Sequence, residues 1–342
     1  TGLKKGVTNA LQQVPVMGDR MIEHIRKTKS SIKQLVVPGM FFEDMGITYL
    51  GPIPGHNLPM LCKALKEAKK VEGPVLLHVM TTKGKGYEPA ETAPDKFHGI
   101  GPFDIESGKV LAKKDGDTYT DVFGKVLCDE ASRNPDIVAI TAAMADGTGL
   151  ARFKKHYPNR FFDVGISEEH GVTFAAGLAA GGLKPVFAVY SSFLQRGYDQ
   201  LIHDVALQNL PVVFGVDRAG LVGSDGETHQ GIFDLSFLSN IPNMTVMSPK
   251  NKWELADMLR FALQMNSPVA IRYPRGKAYD GYEGCRERIS YGKSEWIFEG
   301  KEIAILSVGH MFEEAVKTRD KLIEQGYEPT LINMRFIKPI DE

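Results

Sequence analysis

The chain of 342 residues predicts an α/β fold: doubly wound parallel sheets in more than one domain. Three observations carry this. Apolar runs with little or no internal charge ("DIVAITAAM", "KPVFAVYS", "PVVFGVDR", "SPVAIRYPRG") read as strands buried on both faces. Stretches with apolar residues at helical spacing separate them. The two kinds of segment alternate repeatedly, the pattern of strands laid side by side with helices crossing over them.

In order along the chain, Val14, Met17, Met21, Ile25, Ile32, Leu35 and Val36 recur at helical spacing among lysines and arginines, which predicts amphipathic helices ending near Pro38 and Gly39. "ITYLGPI" is a short apolar run. A helix follows from about Asn57 to Lys70, with Asn57 as N-cap and Pro59 in the first turn, and then the buried-strand run "GPVLLHVMTTKGKG". Periodicity disappears between Tyr87 and Thr118, where glycine, proline and charge predict a long loop. A second unit starts with a helix over Thr120–Ser132. It continues with the strand "DIVAITAAM", the strand "RFFDVGIS", the helix "EEHGVTFAAGLAAGG", the strand "KPVFAVYS", the helix "FLQRGYDQLIHDVALQ", the strand "PVVFGVDR", the strand "MTVMSP", a helix opening at Ser248-Pro249, and the strand "SPVAIRYPRG". A third begins with the strand "EIAILSVGH", the helix "MFEEAVKTRDKLIEQG" with Gly326 as C-terminal cap, and the strand "EPTLINMRF". The expected division is 1–90, a linker or active-site loop at 91–118, a central domain at 119–285, and the start of another at 286–342. The missing initiator methionine and the stop just after a core strand suggest a piece of a longer chain, cut inside a domain at each end.

Composition excludes several functions. A formal net charge of −1 gives no basic field for nucleic acid or an anionic membrane. Cys62, Cys128 and Cys285 are far apart, without CxxC spacing, and read as free thiols of a reducing cytoplasm. No apolar run approaches the ~20 residues of a membrane span. HExxH, GxSxG and P-loop patterns do not occur. His24, His78 and His156 read as structural or solvated.

In doubly wound sheets, ligands bind beyond the carboxyl ends of the strands. Four clusters fall there: Ser167–His170, Tyr190–Arg196, Asp217–His229 and Arg272–Gly276. Their expected convergence on one rim is the argument for an active site. Ser167 is an N-cap residue, and Glu168 and Glu169 would occupy the first turn, where the helix dipole favours negative charge. Both glutamates could simply cap a helix. The body of that helix, "FAAGLAAGG", is small and apolar and predicts a central, closely packed element. A carboxylate at its mouth loses hydration, which suits it to proton exchange. Phe193 reads as core or as an aromatic platform beside Tyr190, Ser191 and Arg196. The Gly-rich loop "VDRAGLVGSDGETHQG" brings Arg218, Asp225, Glu227, Thr228 and His229 after a buried strand. "RYPRG" offers Arg272 and Arg275 for a phosphate or carboxylate, one of which could equally be a structural ion pair.

The stretch "DVGISEEHGVTFAAGLAAGGLKPVFAVYSSFLQRGYDQLIHDVALQNLPVVFGVDRAGLVGSDGETHQGIFDLSFL" resembles 1-deoxy-D-xylulose-5-phosphate synthases. "GPIPGHN", "TTKGKGYEPAE", "KFHGIGPFD" and "YPRG" extend the resemblance over essentially the whole chain. It implies the tail of a first thiamine diphosphate-binding domain, a pyrimidine-binding transketolase-like domain, and the start of a transketolase C-terminal-like domain. It further implies a cytoplasmic homodimer that uses thiamine diphosphate and Mg2+. The reaction implied condenses pyruvate with D-glyceraldehyde 3-phosphate, releasing carbon dioxide, for isoprenoid, thiamine and pyridoxal synthesis.

By resemblance, Glu168 contacts the ring nitrogen of the cofactor's aminopyrimidine, Glu169 is its capping companion, Phe193 stacks on the aminopyrimidine, and Lys85 belongs to the cofactor site. Tyr190, Arg196, Arg218, Asp225, His229 and Arg275 surround the acceptor aldehyde and its phosphate, and His98 stands near the reacting carbon. The family's GDG and asparagine motif for diphosphate and magnesium does not occur here and is expected upstream of residue 1, so this chain should hold no metal ligands, bind cofactor weakly or not at all, and not turn over alone. The alternatives are another thiamine diphosphate enzyme, transketolase-like or pyruvate dehydrogenase β-like, and a non-catalytic relative.

Overall fold

The computed structural model describes residues 40–111, 116–223 and 225–342. The helices expected before Pro38 lie outside the described residues. The chain divides into two compact units, Thr1–Lys113 and Lys114–Glu342.

In the first unit a short helix α1 (Met40–Asp44) leads into β1 (Thr48–Pro54), helix α2 (Leu58–Ala68) and β2 (Val75–Met80), and the two strands pair in parallel. The Asn57 side chain accepts the Met60 N–H at 3.1 Å, so α2 starts where its cap predicts. The following segment is not the structureless loop expected. Helix α3 (Glu88–Thr92) lies within it, and Tyr87, Phe97 and Phe103 pack ring to ring with centroids 5.4–6.0 Å apart. Three aromatics spread over seventeen residues show no period, which is why the pattern hid this small core.

The second unit is built on a seven-stranded sheet in the order β12 (Phe336–Lys338), β7 (Thr245–Met247), β8 (Val269–Arg272), β6 (Val213–Asp217), β5 (Lys184–Tyr190), β3 (Ile137–Thr141) and β4 (Phe161–Asp163). Helix α4 (Tyr119–Arg133) opens on a capping box, with Thr118 Oγ1 accepting the Asp121 N–H and Asp121 accepting the Thr118 N–H. It leads to β3 (Ile137–Thr141), helix α5 (Ala151–His156), β4 (Phe161–Asp163), helix α6 (Glu168–Ala180) and β5 (Lys184–Tyr190). Then come β6 (Val213–Asp217), helix α9 (Asp234–Asn240), β7 (Thr245–Met247), helix α10 (Lys252–Ala262) and β8 (Val269–Arg272). Neighbours in this sheet are parallel except at the β12 edge. β3, β6 and β8 are buried along their whole length, β3 being free of charge and β6 and β8 carrying one charged residue each, Asp217 and Arg272, at the carboxyl end. From β3 the chain moves out to β4, whereas from β5 it moves the other way to β6, so a crevice opens between β3 and β5 at their carboxyl ends.

Four elements depart from expectation. The segment after β5 is not one helix but a succession: α7 (Ser191–Leu194), a tight turn at Gln195–Gly197, α8 (Tyr198–Gln200) and a wider π turn at Leu201–Ala206. Gly197 explains the break, because a Cβ there would press on the Val172 side chain at 2.9 Å, and its absence lets the segment lie against the start of α6. Helix α6 buries Val172, Ala175, Ala176 and Ala179 but leaves Thr173, Gly177 and Ala180 exposed, so it is one-sided in this chain rather than central. Helix α10 opens at Asn251, whose side chain accepts the Glu254 N–H at 2.9 Å, and not at Ser248-Pro249. Finally, β9 (Glu295–Phe298), unread in the sequence, runs antiparallel to β11 (Pro329–Asn333), which also pairs with β10 (Ile303–Ser307). Helix α11 (Phe312–Glu324) covers this small sheet, and β12 (Phe336–Lys338) returns to the edge of the large one.

The two sheets meet over buried charge. Lys250, Glu254, Glu295 and Arg335 are each at most 2% exposed. Lys250 Nζ lies 3.0 Å from Glu254 and 2.6 Å from Glu295, while Arg335 donates to Glu254 at 2.9 Å and pairs with Glu295 at 2.9 Å. Burial alone would push the Glu254 carboxyl up, but Lys250 and then Arg335 outweigh it and hold the carboxyl below its ordinary range. Two cations against two carboxylates make the cluster neutral. Lys250→Met is therefore expected to destabilise this unit by about 3–5 kcal/mol in urea unfolding, by stranding carboxylate charge. The double substitution Lys250→Met with Glu295→Leu should recover most of that loss.

Candidate active site at the strand ends

Three of the four strand-end clusters form one continuous set of contacts, and the fourth joins through Arg275. Glu168, the first residue of α6, is 1% exposed. Both of its carboxylate oxygens lie 2.9 Å from Arg196 Nη1. The Arg196 guanidinium also sits 5.3 Å from the centre of the Phe193 ring. Phe193 stacks on Tyr190 at 5.5 Å and meets the edge of His229 at 5.1 Å. The Arg218 guanidinium lies 4.0 Å over the Tyr190 ring. Arg218 reaches Asp225 at 3.4 Å, and Asp225 pairs with Arg275 at 2.5 Å. Every residue expected around the acceptor is thus in this set.

Local structure explains the placement. Ser167 stands at the N-cap but makes no side-chain cap bond, contrary to the capping expectation. Glu169 is exposed, so the two adjacent carboxylates face different surroundings. Arg218 follows β6 with φ of 58°, a left-handed conformation that costs a non-glycine residue about 1–2 kcal/mol. It is over-determined by its partners: the side chain bonds the Gly147 carbonyl and stands 3.0 Å from Asp217. The pair Arg272 and Arg275 resolves cleanly. Arg272 is 6% exposed and grips the buried Asp234 at 2.9 and 3.2 Å, which makes it the structural ion pair, while Arg275 reaches the site.

His98 and Lys85 belong to the first unit. His98 is exposed, and Lys85 is exposed and pairs with Glu91 at 3.4 Å. Among the described residues, no group of three or more His, Cys, Asp or Glu is arranged to hold a metal ion.

Three participants have no role in the sequence reading, although Asp217 opens one of its clusters and Tyr273 lies within another. Gly147, in the loop after β3, approaches the Tyr190 ring so closely that a Cβ would collide with the hydroxyl. Its signal was available, since "AAMADGTGL" follows a buried strand just as the other clusters do. Asp217, the last residue of β6, is fully buried, accepts from Thr120 Oγ1 at 2.7 Å and from the Arg218 N–H at 2.7 Å. Burial outweighs Arg218 and Thr120 and pushes its carboxyl up to about 6. Tyr273, buried beside it, has no hydrogen-bond partner for its hydroxyl among the described residues, and burial, then Asp217, hold that hydroxyl well above its usual range.

Family comparison matches residues 116–279 to the transketolase pyrimidine-binding domain, 1–81 to 1-deoxy-D-xylulose-5-phosphate synthase and 292–342 to the transketolase C-terminal domain. The 1-deoxy-D-xylulose-5-phosphate synthase of Lachnoclostridium phytofermentans is 56% identical over 339 residues, which is 99% of this chain and 54% of that protein. That of Clostridium acetobutylicum is 54% identical over 342 residues, 99% of this chain and 55% of that protein. Its curated relatives are 1-deoxy-D-xylulose-5-phosphate synthases.

The chain spans about half the length of these curated relatives. Among solved structures, a split-gene transketolase described as an inactive beta4 tetramer is 28% identical with a TM-score of 0.61, over 66% of this chain and 74% of that one. The transketolase of Campylobacter jejuni, 19% identical with a TM-score of 0.57 over 89% of this chain and 59% of that one, shares the fold. The expected α/β class of transketolase type is therefore the observed one. No helix among the described residues is long and apolar enough to cross a membrane.

Two outcomes follow from the buried groups. Asp217 has a folded-state pKa above the ordinary 3.8, so its favourable contribution is complete below that value and is lost as pH rises through about 6. The stability of Asp217→Asn relative to the parent should accordingly rise between pH 4 and 6 and then level off, read from urea midpoints. Gly147→Ala should cost about 1–3 kcal/mol by the same measurement, because Tyr190 must leave its place under Arg218.

Proposed function

We propose that this chain carries the aminopyrimidine and acceptor part of a 1-deoxy-D-xylulose-5-phosphate synthase, a thiamine diphosphate-dependent transferase. The reaction joins pyruvate to D-glyceraldehyde 3-phosphate with loss of carbon dioxide and makes 1-deoxy-D-xylulose 5-phosphate. The observation that carries the reading is the buried Glu168 carboxylate at the strand-end rim, linked through Arg196 and Phe193 to a set of arginines, an aspartate and a histidine. The identity of more than half to synthases along 99% of the chain supports it.

The residues present fit the pyrimidine end of the cofactor. A planar, hydrogen-bonding heterocycle needs an acceptor carboxylate shielded from water and a flat apolar face. Glu168 is 1% exposed, and Phe193 presents a half-buried ring beside it. When bound, thiamine diphosphate supplies the electron sink for the carbon left by decarboxylation. Glu168 would hold a proton at the heterocycle's ring nitrogen, and burial keeps competing water away from that bond. Phe193 would fix the plane of the ring. Arg275 and Arg218 would hold the acceptor's phosphate, with Asp225 and Tyr190 orienting the two guanidiniums. His229, against the Phe193 edge, and His98 would move protons at the reacting carbon and aldehyde, steps in which one positioned group is typically worth about 10²–10⁴-fold.

Lys85 would add to the cofactor site. A magnesium ion would accompany the diphosphate. We extend the reading to the domain division at residues 90, 118 and 285, and to a cytoplasmic homodimer; the free thiols Cys62, Cys128 and Cys285 fit a reducing compartment.

The test supplies the chain fused to the N-terminal part of one of the curated relatives and measures product from pyruvate and D-glyceraldehyde 3-phosphate. Glu168→Ala is expected to lower kcat at least a hundredfold. Arg275→Ala should raise KM for the phosphorylated aldehyde and leave KM for pyruvate near the parent value. Unchanged kcat in Glu168→Ala would remove the assignment. Transfer of a two-carbon ketol unit in place of pyruvate condensation would make the chain a transketolase instead.

A further inference from the structure

Arg196 stands in an unusual place for a residue expected to bind a distant phosphate. Its Nη1 is 2.9 Å from both oxygens of Glu168, and its guanidinium lies 5.3 Å from the centre of the Phe193 ring. A flat cation with N–H donors therefore already satisfies both groups that would receive the flat, N–H-bearing heterocycle: the buried acceptor and the aromatic face. The two ends of the contact differ sharply in burial. Glu168 has a side chain 2% exposed, whereas that of Arg196 is 49% exposed. The carboxylate is enclosed at the first residue of α6, whose backbone packs against Gly197. The arginine can move, since half of its side chain is already in water.

We propose that Arg196 is a built-in stand-in for the aminopyrimidine: it neutralises Glu168 while the pocket is without cofactor, and must swing off at least one carboxylate oxygen when the heterocycle enters. This rests on the reading of Glu168 and Phe193 as the pyrimidine site. The physical logic is compensation. A buried carboxylate without a partner is costly, so an arginine lid keeps the vacant pocket folded, and the cofactor must compete with it. Only a half-exposed pair could serve, because a fully buried one would be too expensive to open. The break after α7 sets the geometry: the tight turn at Gln195–Gly197 aims Arg196 back at the start of α6, where a continuous helix would carry it past. Once released, the guanidinium remains near the acceptor side of the rim, free for an anionic group of the substrate. Arg196 is thus a positioning residue whose partner changes with occupancy.

The experiment titrates thiamine diphosphate, with magnesium, into the chain fused to the N-terminal part of a curated relative, which supplies the diphosphate and metal half of the site, and follows binding by calorimetry. Arg196→Met should bind about two- to fivefold tighter than the parent, the range set by an ion pair with one exposed partner. Arg196→Lys, which keeps the charge but loses the flat guanidinium beside Phe193, should fall between them. Thermal unfolding without cofactor should show Arg196→Met less stable than the parent, and added cofactor should raise its midpoint more than it raises the parent's. Glu168→Ala separates the two ideas. If it weakens binding but Arg196→Met fails to tighten it, the stand-in role is wrong and the pyrimidine site stands. If Glu168→Ala binds like the parent, the site itself is misplaced. Binding by none of the four proteins overturns both. Should Arg196→Met unfold, Arg196→Lys decides alone, and equal or weaker binding than the parent refutes the proposal.

Discussion

Arg218 holds the strand-end rim together. It follows β6, stands over the Tyr190 ring that ends β5, bonds the Gly147 carbonyl of the loop after β3, and pairs with both Asp217 and Asp225. Asp225 in turn takes Arg275 from beyond β8. One side chain therefore connects segments from four strands, and it is only 8% exposed. Its cation is tolerated there because Asp217, Tyr190 and Asp225 more than offset what burial costs. The left-handed backbone at Arg218 is the local strain that this concentration of contacts sustains.

The crevice between β3 and β5 is where this interaction falls, and topology explains why. Connections leave those two strands in opposite directions, which opens the gap at their carboxyl ends. Gly147 admits Tyr190 to it, and Gly231, where a Cβ would meet Ser191 Oγ at 2.6 Å, admits the loop that carries His229. Close approach by glycine on two sides lets an aromatic and a guanidinium stack where larger residues would hold the loops apart. The rim is accordingly dense in charge, with Glu168 and Arg218 shielded from water and Arg196 and Arg275 open to it, and shielding strengthens the interactions of the two buried groups.

The Lys250–Glu254–Glu295–Arg335 cluster plays a different part. It lies between the large sheet and the small one, and carries no exposed charge to a ligand. Hydrophobic contact could have joined these sheets with less desolvation, so the ion cluster is better understood as fixing one alignment of β9 and β11 on α10 than as added stability. His310 shows that this alignment reaches the rim: its ring lies 3.7 Å from where a Cβ of Gly220 would be, beside Arg272. Burial, and then the Arg272 charge, hold its imidazole below its usual range.

Period and punctuation in the sequence determined most strands and helices, because charge-free runs and caps such as Asn57 and Thr118 act locally. The same strand-end rule located Glu168, Tyr190, Arg218 and Arg275, and tertiary structure brought them into contact. What the sequence could not decide were matters of long-range contact. The break near Gly197 depends on Val172 lying opposite. The return of β12 and the antiparallel β9 depend on a sheet edge being available. The choice between Arg272 and Arg275 depended on Asp234, far away in the chain, already holding one of them. Arg196 is the sharpest case, since its partner is a carboxylate twenty-eight residues earlier and no spacing rule places it there. Local preference is written residue by residue, whereas charge pairing in a buried site is settled only when the fold fixes which groups must leave water together.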